Sequence, residues 1–395
     1  MRTTTPSRAP KPAQVGEDGA AVAGGSAATP WGRHDRTVLV LQGGGALGAY
    51  QAGAFEALAS AGFEPDWITG VSIGAINSAL IAGNPPQRRV ERLKAFWDRA
   101  TAGSPFVPPA AMDALRPWFN GVSFAGTAAF GIPGFFMPRL VPPFLAPQGR
   151  PEALSFYSTA PLKATLLELA DFDLINSRRV RLSLGAVNVR TGESVYFDNH
   201  RMEIVPEHVM ASGALPPGFP PVTIDGEIYL DGGIASNSPL AYVMEQDFRM
   251  SALIFQVDVF SGAGAAPQTL QQVQERVKDI QFASKRRLNV DRIHDLEQMR
   301  TALRRVLDKL PKSQQSDPDV QMLSKVATRG RLTLVHVINR RASRSPEFKD
   351  GDFSRATVGE LWQAGSDDVQ RTVARGETVR MTDVGEHFRV YDLAN

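Results

Sequence analysis

A chain of 395 residues, 43% apolar and 21% charged, is long enough for a large core and has the composition of an ordinary globular protein. The lack of cysteine excludes disulfides, thiolate metal sites and a cysteine nucleophile, and a net charge of only +2 gives no general pull toward nucleic acid. No run approaches the ~18 consecutive apolar residues of a membrane-spanning helix, and no apolar stretch of a signal peptide follows Arg2, so a cytoplasmic location is expected.

Residues 1–35, rich in Ala, Gly, Pro, Ser and Thr, read as a disordered tail. Order is expected from TVLVLQ, residues 37–42, a short apolar run of the kind that forms a buried strand. The glycine run GGGALG follows, then a helix ending at Gly62. DWIT forms a second strand, and GVSIG turns into a second helix, INSALIAG. Strand, helix, strand, helix at this spacing argues an α/β fold around a mostly parallel sheet. Residues 104–151 hold so many prolines and phenylalanines that an irregular packed cover or mobile lid is expected, without regular helix or central strand. Residues 179–199 read as two strands about a Thr-Gly turn, with further strands at 227–233 and 251–260. After Pro267, apolar steps of three and four run through Leu270, Val273, Val277 and Ile280, and again from Ile293 to Leu310, marking amphipathic helix. A strand at 331–339 and a helix near 355–374 end the series. The chain thus divides into a tail (1–35), an α/β domain (36–264) and a mainly helical C-terminal extension (265–395). Two basic groups, Lys285-Arg286-Arg287 and Arg340-Arg341 with Arg344, are charges of the kind that anionic lipid attracts.

The spacing Gly43-x-Gly45-x-x-Gly48, with Glu64 and Asp66 about where a ribose-binding acid falls, matches a dinucleotide fingerprint. The next turn points elsewhere. Gly70-Val71-Ser72-Ile73-Gly74 is a G-x-S-x-G motif with a strand before it and a helix after it, the setting of a nucleophile elbow. Two successive strand-to-helix turns of one sheet edge lie close together. The amides of Gly44, Gly45 and Ala46 are therefore expected to meet the oxyanion that forms when Ser72 attacks a carbonyl. A similar run at Gly121-Val122-Ser123 has its second glycine one place late, at Gly126. The serine needs a base. None of the six histidines sits in a recognisable motif, whereas Asp231 ends a strand, with Gly232 and Gly233 leaving room for another loop. Two alternatives stay open: an α/β-hydrolase using His336 or His387 as base, in the chain order Ser, Asp, His, and a non-catalytic lipid- or dinucleotide-binding protein.

Together these motifs resemble the patatin-like phospholipases. GGGALG is similar to the family's oxyanion loop, GVSIG to its nucleophile elbow and DGG to its aspartate motif. ASGALPPGFPPV (211–222) and IASNSPL (234–240) are similar to the segments on either side of that aspartate. The likeness spans residues 37–260, and the C-terminal part resembles an extension of a bacterial subgroup. The resemblance implies a patatin-like three-layer fold and a lipid acyl hydrolase of phospholipase A type, with Ser72 as nucleophile and Asp231 as general base. It also implies an acyl-enzyme, no histidine, no metal and no cofactor. Carried over by position, Gly43, Gly44 and Gly45, with Ala46 beside them, line the oxyanion loop, and Gly48, Gly70, Gly74, Gly232 and Gly233 support the motifs. Leu47 stands where many relatives have Arg or Lys, which loosens the tie to a phosphate headgroup. The expected partner is a lipid or other acyl ester, with peripheral membrane contact and no nucleic acid.

Overall fold

The computed structural model describes residues 31, 34–103, 116–246, 248–327, 330–340, 349–379 and 388–393. The first apolar run forms β1 (Arg36–Leu41), followed by α1 (Gly48–Ser60), β2 (Trp67–Val71), α2 (Ile73–Ala82) and α3 (Pro86–Thr101). Next come α4 (Arg116–Phe130), the short pair β3 (Met137–Pro138) and β4 (Tyr157–Ser158), α5 (Ala160–Leu169) and α6 (Phe172–Asn176). Then follow β5 (Arg181–Asn188), β6 (Ser194–Asp198), α7 (Pro206–Ser212), β7 (Val222–Ile224), β8 (Glu227–Asp231), α8 (Leu240–Glu245) and β9 (Ala252–Asp258). The C-terminal part adds α9 (Leu270–Leu307), α10 (Pro318–Ala327), β10 (Leu332–Ile338), α11 (Arg355–Val379) and β11 (Phe388–Asp392).

One sheet runs in the order β11-β10-β9-β1-β2-β5-β8-β7, with β6 also paired to β5. Strands β11 through β5 are mutually parallel, while β6, β7 and β8 pair antiparallel. The alternation along β1 shows the layering. Leu39 and Leu41 enter the core on one face of the sheet, and Val38 and Val40 enter the core on the other. Covered on both sides, β1, β9 and β10 are mostly apolar, and β9 and β10 are buried along their whole length, as central parallel strands are. Sheet order reverses at β1, and the loops leaving its carboxyl end and that of β2 are where a site is expected in such folds.

One expectation needs correction, and the structure adds two details. Residues 116–130 are helical, because the prolines of the 104–151 segment leave a gap: Pro117 lies in the first turn of α4 and the next proline is Pro133, beyond its end. Residues 104–115 lie outside the described residues. The C-terminal extension is mainly helical, as expected, and it also extends the sheet. Its β10 pairs with β9 over Leu332–Ile338, β11 adds a further strand, and α11 lies along α1. The two helices touch backbone to backbone: a Cβ on Gly53 would overlap the Trp362 carbonyl, and one on Gly365 the Tyr50 carbonyl. Tyr50 also donates its hydroxyl to Asp368 at 2.7 Å. Without the extension, β9 would be a bare apolar edge. Finally, the tail gives way before residue 35. Trp31 packs its ring on Phe63 and Phe255, and Asp35 binds Ser251; residues 1–30, 32 and 33 lie outside the described residues.

On α9 the apolar positions Leu270, Val273, Val277 and Ile280 are exposed, while Ile293 is buried. No helix among the described residues is long and apolar enough to cross a membrane. The basic triplet 285–287 has no described side chains, and Arg341 and Arg344 lie outside the described residues.

Candidate active site

Ser72 caps α2 at φ 57° and ψ −125°, a left-handed conformation that strains a residue with a side chain by about 1–3 kcal/mol. Something must hold it there. Its amide donates to the Ser212 carbonyl at 3.1 Å and lies 3.0 Å from the Ser212 hydroxyl, which itself donates to the Gly185 carbonyl at 2.6 Å. The flanking glycines make the turn possible: a Cβ on Gly70 would overlap Gly74, and one on Gly74 would press on the Leu41 and Gln42 carbonyls. Ser72 is only half-buried, so its hydroxyl is reachable.

Strand register brings the carboxylate to the same level. Val71 aligns with Gly185 on β5, and the next residue of β5, Ala186, aligns with Asp231 on β8. Ser72 and Asp231 thus sit two strands apart, roughly 10 Å between backbones, with their side chains in contact. Gly232 lets β8 close on this point, since a Cβ there would meet the Gly185 carbonyl. Asp231 is 2% exposed and takes the Gly233 amide on Oδ1 at 2.7 Å. Burial pushes its carboxyl up to about 6, against the smaller opposing pull of the Ser72 hydroxyl and the Gly233 amide. Oδ2 is buried and has no hydrogen-bond partner among the described residues. A buried carboxylate with a spare oxygen beside a reachable, strained serine is chemically equipped to accept its proton.

The glycine run is explained residue by residue. Gly43 donates its amide to the Asn237 carbonyl at 3.1 Å, and its own carbonyl accepts the Asn237 side-chain amide at 2.8 Å. A Cβ on Gly43 would collide with Asn237 and crowd the Ser72 Cβ at 3.1 Å. Gly45 sits at φ 57°, where a Cβ would overlap the carbonyl of Asp350, and Ala46 donates its amide to that same carbonyl at 2.8 Å. Of the three amides expected to meet an oxyanion, that of Ala46 is already engaged by Asp350, and that of Gly43, in the same loop, by Asn237. Those of Gly44 and Gly45 carry no hydrogen bond among the described residues; both residues are half-buried and follow Gly43, the loop residue whose Cβ would reach Ser72. Gly48 serves packing, for a Cβ there would press on Ile73 and Trp97.

The described histidines are engaged elsewhere. His336 is buried with its Nδ1 at 3.4 Å from Asp258, His208 accepts the Val205 amide at 3.0 Å, His34 meets Thr333 and His294 meets Gln298. His200 lies next to Asp198 and Arg181. His387 lies outside the described residues. The acids of the dinucleotide reading are also elsewhere: Glu64 pairs with Arg89, and Asp66 accepts the Thr37 amide at the opposite end of β1. Among the described residues no group of three His, Asp or Glu is placed to hold a metal ion. Sequence reasoning assigned no role to Ser212, Asn237 or Asp350. Ser212 and Asn237 lie inside quoted motif segments and so were within reach. Nothing local marks Asp350.

Residues 39–244, just over half the chain, match the family model described as patatin-like phospholipase, and residues 280–384 match one described as patatin phospholipase. Among solved structures, the crystal structure of VipD from Legionella pneumophila aligns at 14% identity over 86% of this chain and 67% of that one. Its TM-score of 0.35 makes it too distant to inform function. No curated protein matches the chain significantly.

Proposed function

The chain belongs to the patatin-like phospholipase family, a family of lipid acyl hydrolases, and we propose that it cleaves carboxylic esters of acyl lipids with Ser72 as nucleophile and Asp231 as general base. Asp231 takes the proton from the Ser72 hydroxyl as its oxygen attacks the ester carbonyl carbon. Negative charge moves onto the carbonyl oxygen, where the amides of Gly44 and Gly45 stabilise it. The intermediate collapses, the C–O bond to the alcohol breaks, and the alcohol leaves with the proton from Asp231. Water then gives a proton to the same carboxylate and attacks the acyl-serine, and Ser72 regains that proton as the fatty acid departs. The observation that carries this reading is the strained, reachable Ser72 in contact with the buried Asp231 carboxyl, which burial pushes up.

The substrate side is apolar. Phe130, Met137, Leu140, Val141, Phe144 and Leu145 are all exposed, Phe130 to 83%. Residues 131–150 carry Arg139 and Arg150 but no acid, so the face suits the surface of an anionic lipid layer. It adjoins the site: Phe156 and Tyr157 donate their amides to Pro217 and Gly218, on the same segment whose Ala214 and Ser212 carbonyls take the Asp231 and Ser72 amides. The test is a panel of esters of varied chain length and headgroup, run with wild type and Ser72→Ala, alongside mass-spectrometric mapping of a fluorophosphonate adduct. Labelling of Ser72 and turnover lost in Ser72→Ala are expected. An adduct elsewhere, or turnover kept in Ser72→Ala, contradicts the reading.

A further inference from the structure

The C-terminal part sends a short strap, residues 349–353, to the back of the glycine loop. The Asp350 carbonyl accepts the Ala46 amide at 2.8 Å and fills the space a side chain at position 45 would need. That carbonyl is itself held by charge. The Asp350 carboxylate takes Lys278 Nζ at 3.0 and 3.3 Å, and Lys278 also reaches Glu275 at 3.1 Å. The residue before it, Lys349, is buried and paired with buried Asp279. Two neighbouring strap residues of opposite charge therefore grip two neighbouring residues of α9, each of the complementary sign. Further contacts fix the frame. Arg276 of α9 donates to the Ser261 and Gly262 carbonyls just after β9, where the Val259 and Phe260 amides hold the Gln42 side chain. Downstream, Asp352 accepts the Ser123 hydroxyl of α4 at 2.9 Å, and Phe353 stacks on Trp97.

We propose that Asp350 is a positioning residue of the oxyanion loop, so that the C-terminal part of the chain completes the catalytic apparatus. By taking up the Ala46 amide, its carbonyl sets the turn at Gly45 and leaves the Gly44 and Gly45 amides uncommitted in the loop that starts at Gly43, against Ser72. By holding the carboxylate, Lys278 keeps that carbonyl in place. Donor placement matters far more in the transition state than in substrate binding, so the strap acts on kcat and leaves KM alone. The inference rests on the Ser72–Asp231 reading.

The test compares wild type, Lys278→Met, Asp350→Ala, the double variant and Lys278→Arg, in the full-length chain. Four quantities are measured on a soluble ester: kcat, KM, the rate of fluorophosphonate inactivation and the thermal midpoint. Lys278→Met and Asp350→Ala should each lower kcat and the inactivation rate together, by on the order of 10- to 100-fold, at unchanged KM. The double variant should be no worse than the worse single, and Lys278→Arg should recover most of the rate. Unchanged kcat in both singles overturns the proposal. So does a loss that follows only the fall in thermal midpoint and is not recovered by Lys278→Arg. Ser72→Ala, run alongside, separates the two layers: wild-type turnover there sinks the reading of the site and the strap with it, whereas a dead Ser72→Ala beside fully active strap variants sinks the strap alone.

Discussion

The 43–46 loop is tied down by directional hydrogen bonds: Asn237 holds Gly43 twice, Asp350 holds Ala46, and the Gln42 side chain before it takes two amides. The 130–156 segment, by contrast, leaves Phe130, Leu140, Phe144 and Leu145 in solvent. Its Phe135 and Phe136 pack by ring contacts on Tyr157 and Phe219. Chemistry at a developing charge requires donors that do not reorganise, whereas acyl chains require area and tolerate looseness. On the function proposed above, the two walls would divide the labour, the clamped wall setting rate and the apolar wall access.

Variants break or sharpen this contrast in a definite order. Ser72→Ala should lower kcat by about 10⁴-fold or more while leaving the fold intact, since residues that act as a unit fail together; steady-state kinetics and circular dichroism check this. Asp231→Asn should be comparably severe, because an amide accepts no proton, and it carries a stability signature of its own. Burial holds the carboxyl at about 6 in the folded protein, above the ~3.9 of an unburied aspartate. Between those values the folded state holds a proton that the unfolded state has lost, so stability falls as pH rises through that window. Above it, folding bears the full burden of an ionised buried carboxylate, on the order of 3 kcal/mol. Asp231→Asn should therefore raise the thermal midpoint at pH 7.5, with the gain vanishing near pH 4. Gly45→Ala comes next, at about 100-fold in kcat, because the new methyl displaces the Asp350 carbonyl that sets the loop. Replacing Phe130, Leu140 and Phe144 together by serine should do least. Turnover of short soluble esters should be unchanged, and turnover of anionic vesicles should drop about 10-fold. A loss on soluble esters as large as on vesicles would erase the distinction between the walls.

The acyl-hydrolase motifs were legible because they are local. A glycine run after a buried strand and a G-x-S-x-G before a helix each constrain a few consecutive residues, and the turns formed where the sequence put them. The hairpin of β5 and β6 and the strand ending at Asp231 were equally local. Helix α4 was obscured by counting prolines over 48 residues instead of asking where they fall. The strand Phe388–Asp392 is short and mixed in polarity, and it exists because β10 offers it an edge. The roles of the glycines were least legible. Gly43 and Gly45 look like room for a ligand, yet the groups they make room for are Asn237 and Asp350, nearly 200 and just over 300 residues away along the chain. Such demands come from tertiary packing and leave no periodic trace.

The central claim is that Ser72 owes its reactivity to Asp231. The most direct measurement is the pH dependence of fluorophosphonate labelling at Ser72 in wild type and in Asp231→Asn. The account predicts wild-type labelling that falls as pH drops, with a midpoint near the value of about 6 assigned to Asp231, and almost none in the variant at any pH. Labelling of Asp231→Asn at the wild-type rate, or a wild-type profile flat from pH 5 to 8, would contradict it.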